Sequence, residues 1–336
     1  MGCASCRAKI RKAKRDTPRF IVDNTHTKRG MKNMKHGFTI VVTFSRAWCV
    51  RPFFNNLEKM EFDRSKCHLL IYNNTNNVFL DDLLIQKARR YQQLHKQKYG
   101  ERKQFPPYAS VRLFKSFRRT GGTVFGHVPS FDASKLPVIY EMQRDISEMI
   151  TTKYFVEIED DTLPPPHAIP RLLRKLRSNK KIGLVSGIEP TRSPHLEDMA
   201  RLGVYYLIRP GAIIRERISL DKDLRGFQEI DASGFYLNAI RTEAWIKATK
   251  IMIREMEKLK IADPAWAIDT LWTNNVKRAG YRVICDMETP CLHMQLVSGR
   301  IYQWAIDKTV VKLDYYIRKH KIYAQGIPMT QAIIEE

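Results

Sequence analysis

The chain has 336 residues, 43% of them hydrophobic, and carries a formal net charge of +23. That apolar fraction builds a sizeable core, which excludes wholesale disorder, and the length suits one large α/β domain or two small ones. The charge specifies no fold, but it favours anionic partners: nucleotides, nucleic acid, acidic lipid head groups or acidic glycans.

Residues 1–36 are the densest basic stretch, with eleven Lys or Arg against Asp16 and Asp23. They read as a flexible N-terminal arm, whose functional reading is docking to an anionic membrane surface or to an acidic acceptor. Met1-Gly2-Cys3 resembles an acylation start, but Cys6 stands where Ser or Thr is required. Cys3 and Cys6 form a C-x-x-C with no second pair, and Cys49, Cys67, Cys285 and Cys291 are scattered. This usage fits a reducing compartment better than a disulfide framework or a zinc knuckle. No run approaches the roughly 20 apolar residues that span a bilayer. The N-terminus also lacks the apolar core of a secretory signal. The expectation is a cytoplasmic protein, peripheral on a membrane where the arm docks.

"FTIVVTF" (38–44) is short, β-branched and almost wholly apolar, as a strand buried on both faces is. A helix follows from near Val50. "CHLLIYNN" (67–74) is a second buried strand that ends in turn-forming asparagines. Residues 78–98 place Leu80, Leu84, Ala88, Tyr91 and Leu94 on one helix face. A third strand is predicted near 108–114. The Gly-, Pro- and Ser-rich stretch 118–135 reads as a long functional loop. A helix from about Pro137 and a strand "KYFVEI" (153–158) complete an alternation that predicts a mostly parallel, doubly wound sheet. Beyond it, strands are predicted at 182–187, 203–208, 226–237 and 281–285. Helices are predicted at 242–259, 264–279 and 301–320. The simplest organisation is the arm (1–36), one domain (37–300), and a C-terminal helix and tail (301–336).

The most informative segment is "YFVEIEDDTLPPP" (154–166), where a buried strand runs into Glu159, Asp160 and Asp161. Three adjacent carboxylates repel one another and need water or a cation. The carboxyl ends of strands are where open α/β sheets bind ligands. A hard divalent cation there would relieve the repulsion and bridge nucleotide phosphates. The plainer alternative is an exposed acidic turn capping a helix from 168.

In "DPAWAIDTLWTNNVKRAGYRVI" (263–284), Asp263 and Pro264 suit a helix start. Asp269 lies at the border of that helix's apolar stripe. A partly desolvated carboxylate is a candidate general base, and a solvent-facing Asp is the alternative. His293 is a candidate metal ligand or a structural histidine. Gly234, in "EIDASGFYLNAIRTEAW" (229–245), permits close approach of a ligand or marks a β-bulge.

In order and spacing these motifs resemble the GT-A glycosyltransferases, most closely the large family 2 type, over roughly residues 38–295. "FTIVVTFSR" looks like that family's opening nucleotide-binding strand, and "LLIYNNTNN" like its second strand and turn. "VEIEDDTLPPP" resembles the DxD strand and its prolines. "DASGFYLNAIRTEAW" resembles the segment shaping the donor and acceptor pocket, and "AIDTLWTNNVKRAGYRV" the helix bearing the catalytic acids.

The resemblance implies a Rossmann-like GT-A fold, with a mostly parallel central sheet flanked by helices and a smaller acceptor-side mixed sheet. It implies transfer of a sugar from a nucleotide-diphosphate-sugar donor to a glycan, lipid-linked or protein acceptor, with Mn2+ or Mg2+ as cofactor. By position, Asp161 would be the main metal ligand and His293 would complete the coordination. Asp160 and Glu159 would lie on the metal-ribose side, with Thr43, Ser45 and Arg46 near the nucleotide. Asp269 would be the base, and inversion the expected stereochemistry. Asn73 replaces the family's uracil-contacting Asp, Glu159 its first DxD acid, and Ile268 the Glu before the base. The rival classes are a metal-dependent nucleotidyltransferase or nuclease, and a non-catalytic nucleotide-sugar binding protein. No Gly-rich P-loop and no RNA-binding aromatic motif supports a nucleic-acid substrate.

Overall fold

Continuous apolar runs such as Phe38–Phe44 and Cys67–Asn73 form parallel strands buried on both faces of the central sheet. The computed structural model describes residues 20–23, 37–74, 78–93, 108–116, 136–189, 201–207, 215–219, 225–258, 268–297, 300–304 and 327–328. The strands are β1 (Phe20–Asp23), β2 (Phe38–Phe44), β3 (Cys67–Asn73), β4 (Ser110–Lys115), β5 (Tyr154–Glu159), β6 (Thr162–Leu163), β7 (Ile182–Ile188) and β8 (Arg201–Leu207). They continue with β9 (Arg215–Ser219), β10 (Phe227–Ile230), β11 (Ala232–Ser233), β12 (Leu237–Arg241), β13 (Arg282–Pro290), β14 (Leu292–Val297), β15 (Arg300–Trp304) and β16 (Ile327–Pro328). The helices are α1 (Val50–Lys59), α2 (Val78–Gln93), α3 (Leu136–Met149), α4 (Ala168–Ser178), α5 (Thr242–Lys258) and α6 (Ile268–Arg278).

Nine strands form the central sheet in the order β1-β4-β3-β2-β5-β12-β7-β13-β10. β4, β3, β2 and β5 run parallel, as do β7 and β13. β12 is inserted between β5 and β7, antiparallel to both. The mostly parallel, helix-flanked α/β sheet predicted from the sequence is thus observed. On one face Phe44 packs against Phe53 and Phe54 of α1, and Phe54 meets Tyr91 of α2. On the other, Phe155 meets Trp245 of α5, which stacks on Trp272 of α6. α4 lies against β7 and β12. Each fully buried aromatic of this kind is worth roughly 1.5–3 kcal/mol of apolar transfer, so these clusters anchor both layers.

Four sequence expectations are corrected. Phe20–Asp23, inside the stretch read as a flexible arm, pair antiparallel with β4 and close that sheet edge. Residues 301–304, read as the start of the C-terminal helix, belong to β15, which pairs with β14 and β16. The smaller mixed sheet is instead two antiparallel sheets, β11-β8-β9 and β16-β15-β14-β6. The predicted strand 226–237 is split, with β10 in the central sheet and β11 in a small one. The loop 118–135, the Cys3–Cys6 motif, Asp263 and Pro264 lie outside the described residues. Cys49, Cys67, Cys285 and Cys291 are buried. Among the described residues no helix is long and apolar enough to cross a membrane.

Candidate active site

The acids after β5 are not a solvated turn. Asp160 is 1% exposed and Asp161 is fully buried. α4 has His167 as its N-cap and no side-chain hydrogen bond there, which removes the reading of these acids as its cap. The two neighbours face different partners. Asp160 Oδ2 accepts the main-chain N–H groups of Ser45 (2.8 Å) and Arg46 (2.9 Å), and Oδ1 accepts from the Arg46 guanidinium (2.5 Å). Its carboxylate therefore ties the end of β2 to the end of β5. Burial holds this carboxyl above its ordinary pKa range, although Arg46 and the two N–H groups pull the other way.

Asp161 Oδ2 lies 2.8 Å from Arg46 Nη1 and 3.6 Å from His293 Nε2. β14 delivers His293 by pairing with β6, where His293 is opposite Thr162 and Met294 N–H donates to the Asp161 carbonyl (2.7 Å). On the far side of the imidazole, Nδ1 lies 3.4 Å from Glu189 Oε2, and Glu189 Oε1 accepts from Thr162 Oγ1 (2.6 Å). Glu189 follows β7 directly, and sequence reasoning missed it. A carboxylate right after the buried strand "IGLVSGI" and before Pro190 was the available signal. Burial disfavours a charged Arg46, but Asp161 and Asp160 outweigh it and hold its pKa above the ordinary value.

The remaining predicted residues line the same sheet end. Thr43 pairs with Glu159 across β2 and β5. Glu159 N–H donates to the Tyr236 carbonyl (3.1 Å). Two residues before Tyr236, Gly234 runs past Asp269: a Cβ at Gly234 would sit 3.4 Å from Asp269 Oδ2 and 2.9 Å from the Tyr236 ring. Asp269 Oδ1 accepts from the Thr270 N–H (2.7 Å). One turn on, the Thr273 hydroxyl accepts the Ser233 N–H (3.0 Å) and lies 2.8 Å from the Ser233 carbonyl. This staples α6 to β11 and was not foreseen. Asn73 is fully buried, and its amide donates to Asp81 Oδ1 (2.6 Å), while Asp81 Oδ2 pairs with Lys115. The sheet thus brings Thr43, Ser45, Arg46, Glu159, Asp160, Asp161 and His293 together, while Asp269 lies beside Gly234 in the segment whose Tyr236 carbonyl accepts the Glu159 N–H, and Asn73 turns toward α2.

Among the described residues, no group of three or more His, Cys, Asp or Glu side chains is assembled for a metal ion. The pair Asp161–His293 nonetheless has the chemistry of a two-donor grip. It joins a carboxylate oxygen to an imidazole nitrogen whose other ring nitrogen faces a carboxylate, the outer contact that fixes a ligating histidine. Such a pair suits a cation that draws its other ligands from substrate phosphate and water.

No protein-family model matches the chain, and a search of curated proteins finds no match. Among solved structures, a protein from STIV matches with 10% identity and a TM-score of 0.35, over 80% of this chain and 90% of that one. A mannosyltransferase from Pyrobaculum calidifontis, in complex with GDP-Man and Mn2+, matches with 14% identity and a TM-score of 0.40, over 82% of this chain and 62% of that one. S. aureus TarS 1–349 matches with 10% identity and a TM-score of 0.41, over 75% and 58%. This chain spans less than two thirds of the length of the latter two. At these TM-scores the likenesses carry neither residues nor activity to this chain.

Proposed function

We propose that this protein is a glycosyltransferase that moves a sugar from a nucleotide-diphosphate donor to an acceptor hydroxyl with inversion. The observation that carries the reading is the buried Asp161–His293 pair at the carboxyl end of parallel strands; Asp269 lies beside Gly234, two residues before the Tyr236 carbonyl that accepts the Glu159 N–H. Asp161 and His293 would hold a divalent cation, Mn2+ or Mg2+. When bound, that ion supplies Lewis-acid stabilisation of the charge building on the departing diphosphate. Asp160 fixes the Ser45–Arg46 turn, whose main chain and Thr43 border the nucleotide side. Asp269 takes the proton from the acceptor hydroxyl as that oxygen bonds to the anomeric carbon and the bond to the diphosphate breaks. Its Oδ1 is oriented by the Thr270 N–H, which directs Oδ2 toward the Gly234 side.

Asp269→Asn should lower transfer by at least about 100-fold while leaving donor affinity within a few fold. Asp161→Ala should instead abolish metal-dependent donor binding. Calorimetry with nucleotide diphosphates, with and without Mn2+, and a transfer assay read both. Normal turnover by Asp269→Asn would remove the base assignment. Thermal-shift screening separates the classes: nucleotide sugars with Mn2+ should stabilise the protein, and stabilisation by oligonucleotides alone would favour the nucleotidyltransferase or nuclease reading.

A further inference from the structure

Arg46 is attached to the acidic pair twice. Its main-chain N–H is held by Asp160 Oδ2, and its guanidinium reaches Asp160 Oδ1 at 2.5 Å and Asp161 Oδ2 at 2.8 Å. The Arg46 side chain is 25% exposed where those of Asp160 and Asp161 are 2% and 0%, so it is the outermost of the three. The oxygen it takes on Asp161 is the same one that faces His293 Nε2 at 3.6 Å. A cation drawn to the Asp161–His293 pair and the guanidinium therefore compete for one atom.

Arginine cannot relieve that competition by losing its proton, because it stays charged at any working pH. It can only move. The main-chain hold by Asp160 stays in place when the side chain leaves, so the turn at Ser45 and Arg46 need not shift. The planar fork then becomes available to a phosphate, which it matches bidentately.

We propose that Arg46 is a stand-in cation: it covers Asp161 Oδ2 while no divalent ion is bound, yields that oxygen when the ion enters, and turns its guanidinium to the donor diphosphate. The proposal rests on the metal reading given above. It predicts effects of opposite sign from one substitution, which a merely structural loss does not produce.

The test titrates the metal-free full chain with Mn2+ by calorimetry and by electron paramagnetic resonance, using the wild type, R46Q, R46K and D161N. It then titrates UDP and GDP at saturating Mn2+. R46Q should bind Mn2+ about tenfold tighter than wild type without nucleotide, and should bind the diphosphates about tenfold more weakly. R46K, with one point charge, should bind Mn2+ between the two, and it decides the matter if melting curves show that R46Q does not fold. D161N should lose Mn2+ binding. Equal or weaker Mn2+ binding by R46Q and R46K, with binding still lost in D161N, overturns the stand-in role alone. Failure of the wild type and both Arg46 variants to bind Mn2+ overturns it together with the metal reading.

Discussion

Glu157 and Glu159 share a strand face, yet two residues decide whether a carboxylate meets solvent or core. Glu157 is 1% exposed, its Oε1 accepts from Gln143, and burial lifts its pKa to about 8 from an ordinary 4.5. Between those values the folded chain keeps a proton that the unfolded chain has shed. Stability therefore falls as pH rises through that window and levels off above it, by at most about 1.4 kcal/mol per pH unit for this one group. Glu157→Gln should remove that slope. Melting temperatures at pH 5.5 and 8.5 should show the variant gaining several degrees relative to wild type at the higher pH, and parallel pH profiles would contradict it. The acidic triplet itself was legible in the sequence, because three carboxylates ending a buried strand need a purpose. Which acid serves which purpose was not. Asp160 is spent on the Ser45–Arg46 turn and Asp161 faces His293, and only the relative placement of β2, β5 and β14 decides this.

Among the elements, the junction of β11, β12 and α6 sets the position of Asp269. Thr273 binds the main chain of Ser233 through its hydroxyl, and Gly234 then threads between the Tyr236 ring and Asp269. Gly234→Ala should cost about 1–3 kcal/mol of stability, because the new methyl group overlaps a ring packed in the core. It should also depress transfer by displacing Asp269, with a smaller effect on donor affinity. Thermal melts and steady-state kinetics of the variant check both, and unchanged behaviour would show that the passage has slack. Strands and helices with continuous or strongly periodic apolar patterns were legible to within a few residues, including α1, α5 and β7. The start of the predicted C-terminal helix was not, because Ile306, Val310, Leu313 and Ile317 carry helical spacing while Ile301, Tyr302 and Trp304 pair with β14. The pairing is with the preceding strand, and the signal available was Ser298-Gly299, a turn-type dipeptide between two short apolar runs.

At the scale of the molecule, β1 caps the β4 edge of the central sheet. A chain lacking residues 1–18 keeps that cap, whereas one lacking residues 1–33 leaves the β4 edge unpaired. The longer deletion should melt several degrees lower and scatter more light on warming, since a bare edge strand templates association. Equal behaviour of the two would show the cap to be dispensable. The shorter deletion is accordingly the right partner for vesicle co-sedimentation, because it removes basic charge without opening the sheet. The parallel order of β4, β3, β2 and β5 followed from alternation of strand and helix, but the reversal of β12 did not, since a buried strand reads the same in either direction. That reversal governs how the protein is born. The stretch from Phe38 to Glu159 can align its strands as soon as it leaves the ribosome, yet the flank of β5 stays open until Leu237–Arg241 emerge to fill the slot between β5 and β7. A ribosome stalled just before Leu237 would hold a chain bearing both aspartates and no partner for that flank, the stage at which a chaperone has most to shield.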